Sequence, residues 1–195
     1  MSDTMRAALD DGNGIVSIHQ SPMPERFPGS ALIAMKQIGI CGSDLHMNNE
    51  RTDPQTLPSG HEPAGEVIEV PVGEIRIQPG DRVAIEATGS GKACQACYFC
   101  RTGQYPHCID MAEESGGAFA EYMTRTPLGL HKLSDNMSWE EGALVEPLAV
   151  SVHAARWGGM QGGDTVAVVG SATIGLAAIA GARALGARKI VASAR

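Results

Sequence analysis

Up to about Leu133, short apolar runs broken by Gly and Pro follow one another: Ile15 to Ile18, Ala31 to Ile40, Gly65 to Val70, Arg82 to Glu86 and Phe119 to Met123. Runs of this length bounded by turn residues predict short strands, and several in succession predict an all-β barrel or sandwich. Pro79-Gly80 ahead of Asp81-Arg82-Val83 predicts a tight turn feeding a strand. Pro presets φ at the first central position of such a turn, and Gly tolerates φ > 0 at the second. No internal repeat or low-complexity tract interrupts the pattern.

Helical signals begin at Ser138, which has Glu141 three residues later, the spacing of a capping box. Pro147 suits the first turn of a second helix, with Leu148, Val152, Ala155 and Arg156 at helical spacing toward Trp157. Gly158, Gly159, Gly162 and Gly163 end it. A Val-rich strand from Thr165 to Val169, a Gly turn, an Ala-rich helix through Ala184 and a strand from Lys189 to Ala192 come next. The expected boundary falls near Glu146 to Val150, giving a β domain over residues 1–148 and an α/β domain over 149–195. A doubly wound domain needs two mononucleotide-binding halves and about six strands. Two strands are present, so the second domain is expected to be the first part of one, truncated.

The chain has 195 residues, enough for one domain with a real core and part of a second. Its formal charge of -7 has no compensating basic block. That argues against a nucleic-acid surface, which needs clustered Lys and Arg, and favours a small-molecule partner. Thr165 to Ala182 carries no charge and approaches the length of a bilayer span. Gly170, Ser171, Ala172 and Thr173 break it, as a strand, turn and helix would, so no membrane partner is expected. Met1 to Asp10 lacks the basic and apolar regions of a signal peptide, and a cytoplasmic location is expected.

Five cysteines, at 41, 94, 97, 100 and 108, in a chain without export signals predict reduced thiols and metal sites rather than disulfides. Cys94-x2-Cys97-x2-Cys100-x7-Cys108 puts four thiolate donors into one lobe, about residues 90–110. A structural zinc prefers that set, and with every position filled by protein it leaves no opening for substrate. His107 is read as a bystander beside Cys108.

The remaining cysteine lies in Gly39-Ile40-Cys41-Gly42-Ser43-Asp44-Leu45-His46, and Gly60-His61-Glu62 follows. Thiolate, imidazole and carboxylate are the ligand types of a catalytic zinc with an open position. Residues 20 apart need a fold to bring them together, and an isolated Cys or His is commonly just buried.

These segments, with Pro79-Gly80-Asp81-Arg82-Val83 and Glu146-Pro147-Leu148-Ala149-Val150, resemble in order the motifs of zinc-containing medium-chain dehydrogenases. The resemblance is nearest to the polyol branch of sorbitol, threonine and butanediol dehydrogenases. It implies a GroES-like, partly open β-barrel domain followed by a Rossmann domain, and two zinc ions per chain. It also implies hydride transfer between a secondary alcohol or polyol and NAD(P), and a homo-oligomer. Cys41 and His61 would be ligands of the catalytic zinc, with Glu62 and Glu146 as direct or water-bridged carboxylates. Zinc lowers the pKa of an alcohol held against it, so that hydride can leave the adjoining carbon. Ser43 and His46 occupy the positions of the family's proton relay, which needs groups within hydrogen-bond reach of the reacting oxygen.

Gly170-Ser171-Ala172-Thr173-Ile174-Gly175 between strand and helix is the context that gives a dinucleotide fingerprint meaning, since the helix N-terminus meets the pyrophosphate with backbone amides. Ala172 replaces the second glycine. After the second strand, where NAD enzymes place an acid for the ribose diol, stand Ala194 and Arg195, which lean toward NADP. Two competing readings are a non-catalytic zinc-binding remnant and a zinc-free reductase of the same fold. Counting metal separates them: two zinc ions per chain, one, or none.

Overall fold

The computed structural model describes residues 3–50, 52–112 and 116–194. A hairpin of β1 (Thr4–Asp10) and β2 (Val16–Pro22) opens the chain, in register from Thr4↔Pro22 to Asp10↔Val16. Met5 and Ala7 of β1 point inward, whereas Val16 and Ile18 of β2 are exposed. The hairpin meets the rest of its unit through an Ala7↔Ala120 bridge and the Arg6–Glu121 ion pair at 2.7 Å.

The strands β3 (Ala31–Gly39), β4 (Glu62–Glu69), β5 (Arg82–Ile85), β6 (Tyr122–Arg125) and β7 (Leu130–Lys132) form one antiparallel sheet in the order β6-β3-β4-β5-β7. Ile33, Val67, Val83, Ile85, Met123 and Leu130 fill its core. Helix α1 (Gly42–Glu50) sits in the connection from β3 to β4, and the short α2 (Tyr98–Arg101) lies within the cysteine lobe between β5 and β6. The turn at Pro79-Gly80 forms as its sequence demands: Gly80 has φ +89° and the Asp81 amide donates to the Gln78 carbonyl at 3.1 Å. Before α3 (Trp139–Ala143), the Ser138 amide donates to Glu141 Oε2 at 2.7 Å and the Glu141 amide to Ser138 Oγ at 3.1 Å. This is the reciprocal capping box.

The contacts divide the chain into two units, Met1–Ala143 and Leu144–Arg195. The second contains α4 (Val145–Trp157), β8 (Thr165–Val169), α5 (Thr173–Ala184) and β9 (Lys189–Ser193). Strands β8 and β9 are parallel, from Thr165↔Lys189 to Val169↔Ser193, with α5 as the crossover of a β-α-β element. Gly181 lets the helices approach: a Cβ there would lie 3.2 Å from Val152 Cγ2 of α4. The uncharged run from Thr165 is thus β8, a turn and most of α5. Among the described residues no helix is long and apolar enough to cross a membrane.

Candidate metal centres and nucleotide loop

Between β5 and β6 the lobe folds back so that the sulfurs of Cys94, Cys97, Cys100 and Cys108 all lie within 4.8 Å of one another. Tetrahedral zinc–thiolate bonds of ~2.3 Å place sulfurs about 3.8 Å apart. The Cys94–Cys100 and Cys97–Cys100 separations are 3.9 and 3.5 Å, so the donor set fits the ion. Backbone amides prepare it. Those of Ile109 and Cys100 bring the Cys97 thiol down to about 6. Burial opposes ionisation of Cys108, but the amides of Cys94 and Asp110, at 3.3 and 3.5 Å from its sulfur, bring its pKa below the usual thiol value. Cys100, the buried member, is pushed up to about 12 by desolvation and by its neighbouring thiols. Without metal, four sulfurs this close together cannot all ionise, and a divalent cation resolves that conflict.

The second cluster is built by strand pairing. Gly39 at the end of β3 stands opposite Glu62 at the start of β4, so Cys41, just past β3, comes beside His61 and Glu62. The donor atoms of these three lie within 4.8 Å of one another, with Glu62 buried and the other two half-buried. Thiolate, imidazole and carboxylate again suit zinc, and three protein donors leave a fourth position. Asp44, in the first turn of α1 and 8% exposed, supports two of them. Its Oδ2 accepts the Cys41 amide at 2.9 Å and its Oδ1 lies 3.6 Å from His61 Nδ1.

In the second unit, the β8–α5 turn has Gly170 at φ +97°. A Cβ on Gly175 would overlap the Gly170 carbonyl oxygen, so only glycine permits the helix to start this close to the strand. No side chain caps α5, whose N-cap is Ala172. The turn therefore matches an anion-binding helix N-terminus, with the Ala172 methyl at the position where the fingerprint has its second glycine.

The alcohol dehydrogenase GroES-like domain model matches residues 27–135. The chain belongs to the medium-chain alcohol and polyol dehydrogenase family. A sorbitol dehydrogenase of Bacillus subtilis (strain 168) is 35% identical over 196 residues, a match covering 96% of this chain and 55% of that protein. The solved structure of alcohol dehydrogenase TADH from Thermus sp. ATN1 superposes with a TM-score of 0.82 at 33% identity, over 96% of this chain and 57% of that one. A protein of Sinorhizobium meliloti 1021, described as a zinc-binding dehydrogenase and bound to NADP, gives 0.79 at 29% identity, over 100% and 57%. The chain thus spans about half the length of the relatives it matches.

Within this dehydrogenase frame the site residues named from the sequence are distributed over both units. Cys41, His61 and Glu62 come together, as do the four lobe cysteines. Ser43 and His46 lie three residues apart on α1, hence on neighbouring turns of one helix face, and both are exposed. Glu146 is in the first turn of α4, in the second unit. Thr173, Ile174 and Gly175 begin α5 behind Gly170, Ser171 and Ala172; Ala194 follows β9, and Arg195 lies outside the described residues. Asp44 is a residue of this site that the motifs alone do not single out. Its signal was present: an acid three residues after Cys41 is spaced to reach back to the start of a helix.

Proposed function

We propose that this chain belongs to a zinc-dependent enzyme transferring a hydride between a secondary alcohol or polyol and NAD(P), with two zinc ions per chain. The convergence of Cys41, His61 and Glu62 from segments 20 residues apart carries the reading. A zinc ion held there supplies Lewis-acid activation of an alcohol hydroxyl. The protein's part is to bind, orient and move a proton. Cys41, His61 and Glu62 hold the metal, and Asp44 fixes the first two. Ser43 and His46, on one face of α1, provide a hydroxyl and an imidazole through which the alcohol's proton reaches solvent. From the family's Glu-Pro-Leu motif, Glu146 is assigned to the same metal, directly or through water. The lobe cysteines hold a zinc without an opening, whose role is structural.

The β8–α5 turn, Gly170 to Gly175, takes the pyrophosphate on the N-terminal amides of α5. Absence of an acid at Ala194, with Arg195 beside it, favours NADP, and the NADP-bound relative supports that choice. Reduced thiols at all five cysteines accord with the cytoplasm, and the active form is a homo-oligomer. A metal-only role is the second reading, because the four lobe cysteines already form a complete donor set that needs no substrate or nucleotide. Metal analysis tests the proposal: two zinc ions per chain, falling to one in Cys41→Ser. A single ion in the wild type, unaffected by Cys41→Ser, sinks it in favour of the metal-only reading.

A further inference from the structure

We infer that Gly39 is a positioning residue for the open metal site: the missing side chain at this position is what allows Glu62 to bring its carboxylate beside Cys41 and His61. This rests on the two-metal reading above. Gly39 and Glu62 are directly opposed on the antiparallel pair β3–β4. Side chains of opposed residues project to the same face of a sheet, with Cβ atoms about 4.5–5.5 Å apart. Glu62 lies across the space that a partner side chain would fill. A Cβ on Gly39 would overlap Glu62 Oε2, and would lie 3.0 Å from its Cβ and 3.2 Å from its Cδ.

The three atoms nearest that added carbon all belong to Glu62. Gly39 also lies outside the left-handed region, so its backbone accepts alanine without strain. Gly60 is different. It has φ +96°, and a Cβ there would press on the Phe119 ring at 3.0 Å, so substitution at Gly60 disturbs backbone and packing whatever the metal does. At Gly39 the overlap is with the end of the Glu62 carboxylate, and Glu62 Cβ and Cδ are tight contacts beside it. Because Glu62 is buried, it yields only by swinging away from the cluster. That would leave two donors, thiolate and imidazole, where three had met.

Cobalt(II) titration of the 195-residue chain, followed by the thiolate-to-cobalt absorption, tests this. The wild type should take two ions per chain. Gly39→Ala should keep the lobe ion at wild-type affinity and bind the second at least roughly 10- to 100-fold more weakly, since loss of even an outer-shell partner of a ligand costs that much. In the Glu62→Gly background, Gly39→Ala should cause no further loss, since the three atoms nearest the added methyl are then all gone. Wild-type affinity for the second ion in Gly39→Ala would overturn the inference. So would an equal loss in both backgrounds, or loss of the lobe ion together with the second, since either marks a general role in the strand. A wild type that takes one ion overturns the two-metal reading itself, and this inference with it.

Discussion

Asp44 accepts the backbone amide of Cys41 at 2.9 Å through Oδ2. Its other oxygen faces His61 Nδ1 at 3.6 Å, so one carboxylate orients two of the three donors of the open site. Asp44→Asn keeps the shape and removes the charge. Supporting partners of metal ligands are worth about 10- to 100-fold in affinity. The variant should therefore lose that much affinity for zinc at the open site and none at the lobe. Competition titration against a chromogenic chelator measures both, and equal affinities for wild type and variant would remove Asp44 from the site.

Cys97→Ser should cost the chain one zinc ion and much of its stability. Loss of a structural metal belongs to the large effects, on the order of 4 kcal/mol, or roughly 8 to 16 °C in Tm at this chain length. Activity should fall only in step with unfolding, because the four-thiolate lobe has no vacancy. A variant with full zinc content and unchanged Tm would refute the assignment.

A pH dependence follows from Asp81. Burial disfavours its charged form, but Lys132 Nζ at 2.8 Å and the Gln78 amide at 2.8 Å outweigh burial and hold the carboxyl below its usual range. The folded state therefore binds fewer protons than the unfolded one just below pH ~4. The stabilisation is complete above that pH and is lost as pH falls through the lowered value. Asp81→Asn should cost about 1 kcal/mol at pH 7, a modest figure because Lys132 is half-exposed. Its Tm should also decline less steeply than the wild type's between pH 5 and 2.5, and parallel declines would contradict the argument.

In the active enzyme, His46→Gln should lower kcat by roughly 10²-fold or more, the scale of general acid–base catalysis, and alter its pH profile with zinc still bound. Glutamine fills the space but carries no proton across neutral pH. Unchanged turnover from pH 6 to 9 would exclude the relay.

The proposed preference for NADP rests on Ala194, which follows β9. A carboxylate there would accept the ribose hydroxyls of NAD and repel a 2′-phosphate. Ala194→Asp should shift the kcat/KM ratio toward NAD by at least tenfold, about 1.4 kcal/mol. A wild type that already favours NAD tenfold, with no change on substitution, would contradict the reading.

Local signals were legible in the sequence where the physics is local. Ser138 and Glu141 cap α3 because each bond spans three residues, and β8 and α5 are bounded by glycines that must sit where they do. Strand β1 was not foreseen, since Met5-Arg6-Ala7-Ala8-Leu9 lacks the β-branched residues that mark strands. It is held by pairing with β2 and by the bridge to Ala120. β7 has three residues, too few for a period. The choice between Glu62 and Glu146 stayed open for a related reason. Spacing alone cannot reveal that β3 and β4 pair with Gly39 opposite Glu62, and that register is what brings Glu62 to Cys41 and His61.

The sheet order also sets a timetable for synthesis. β4 begins pairing with β3 across a separation of 23 residues, Gly39 to Glu62. β6 must wait much longer: Leu32 and Thr124 are 92 residues apart. At about 5–20 residues per second on the ribosome, one edge of β3 stays unpaired for roughly 5 to 20 s. The open site's donors are thus assembled by the earliest long-range pairing of the sheet. The cysteine lobe emerges whole before β6 does, so its four thiols are available to take metal while the nascent sheet is still open.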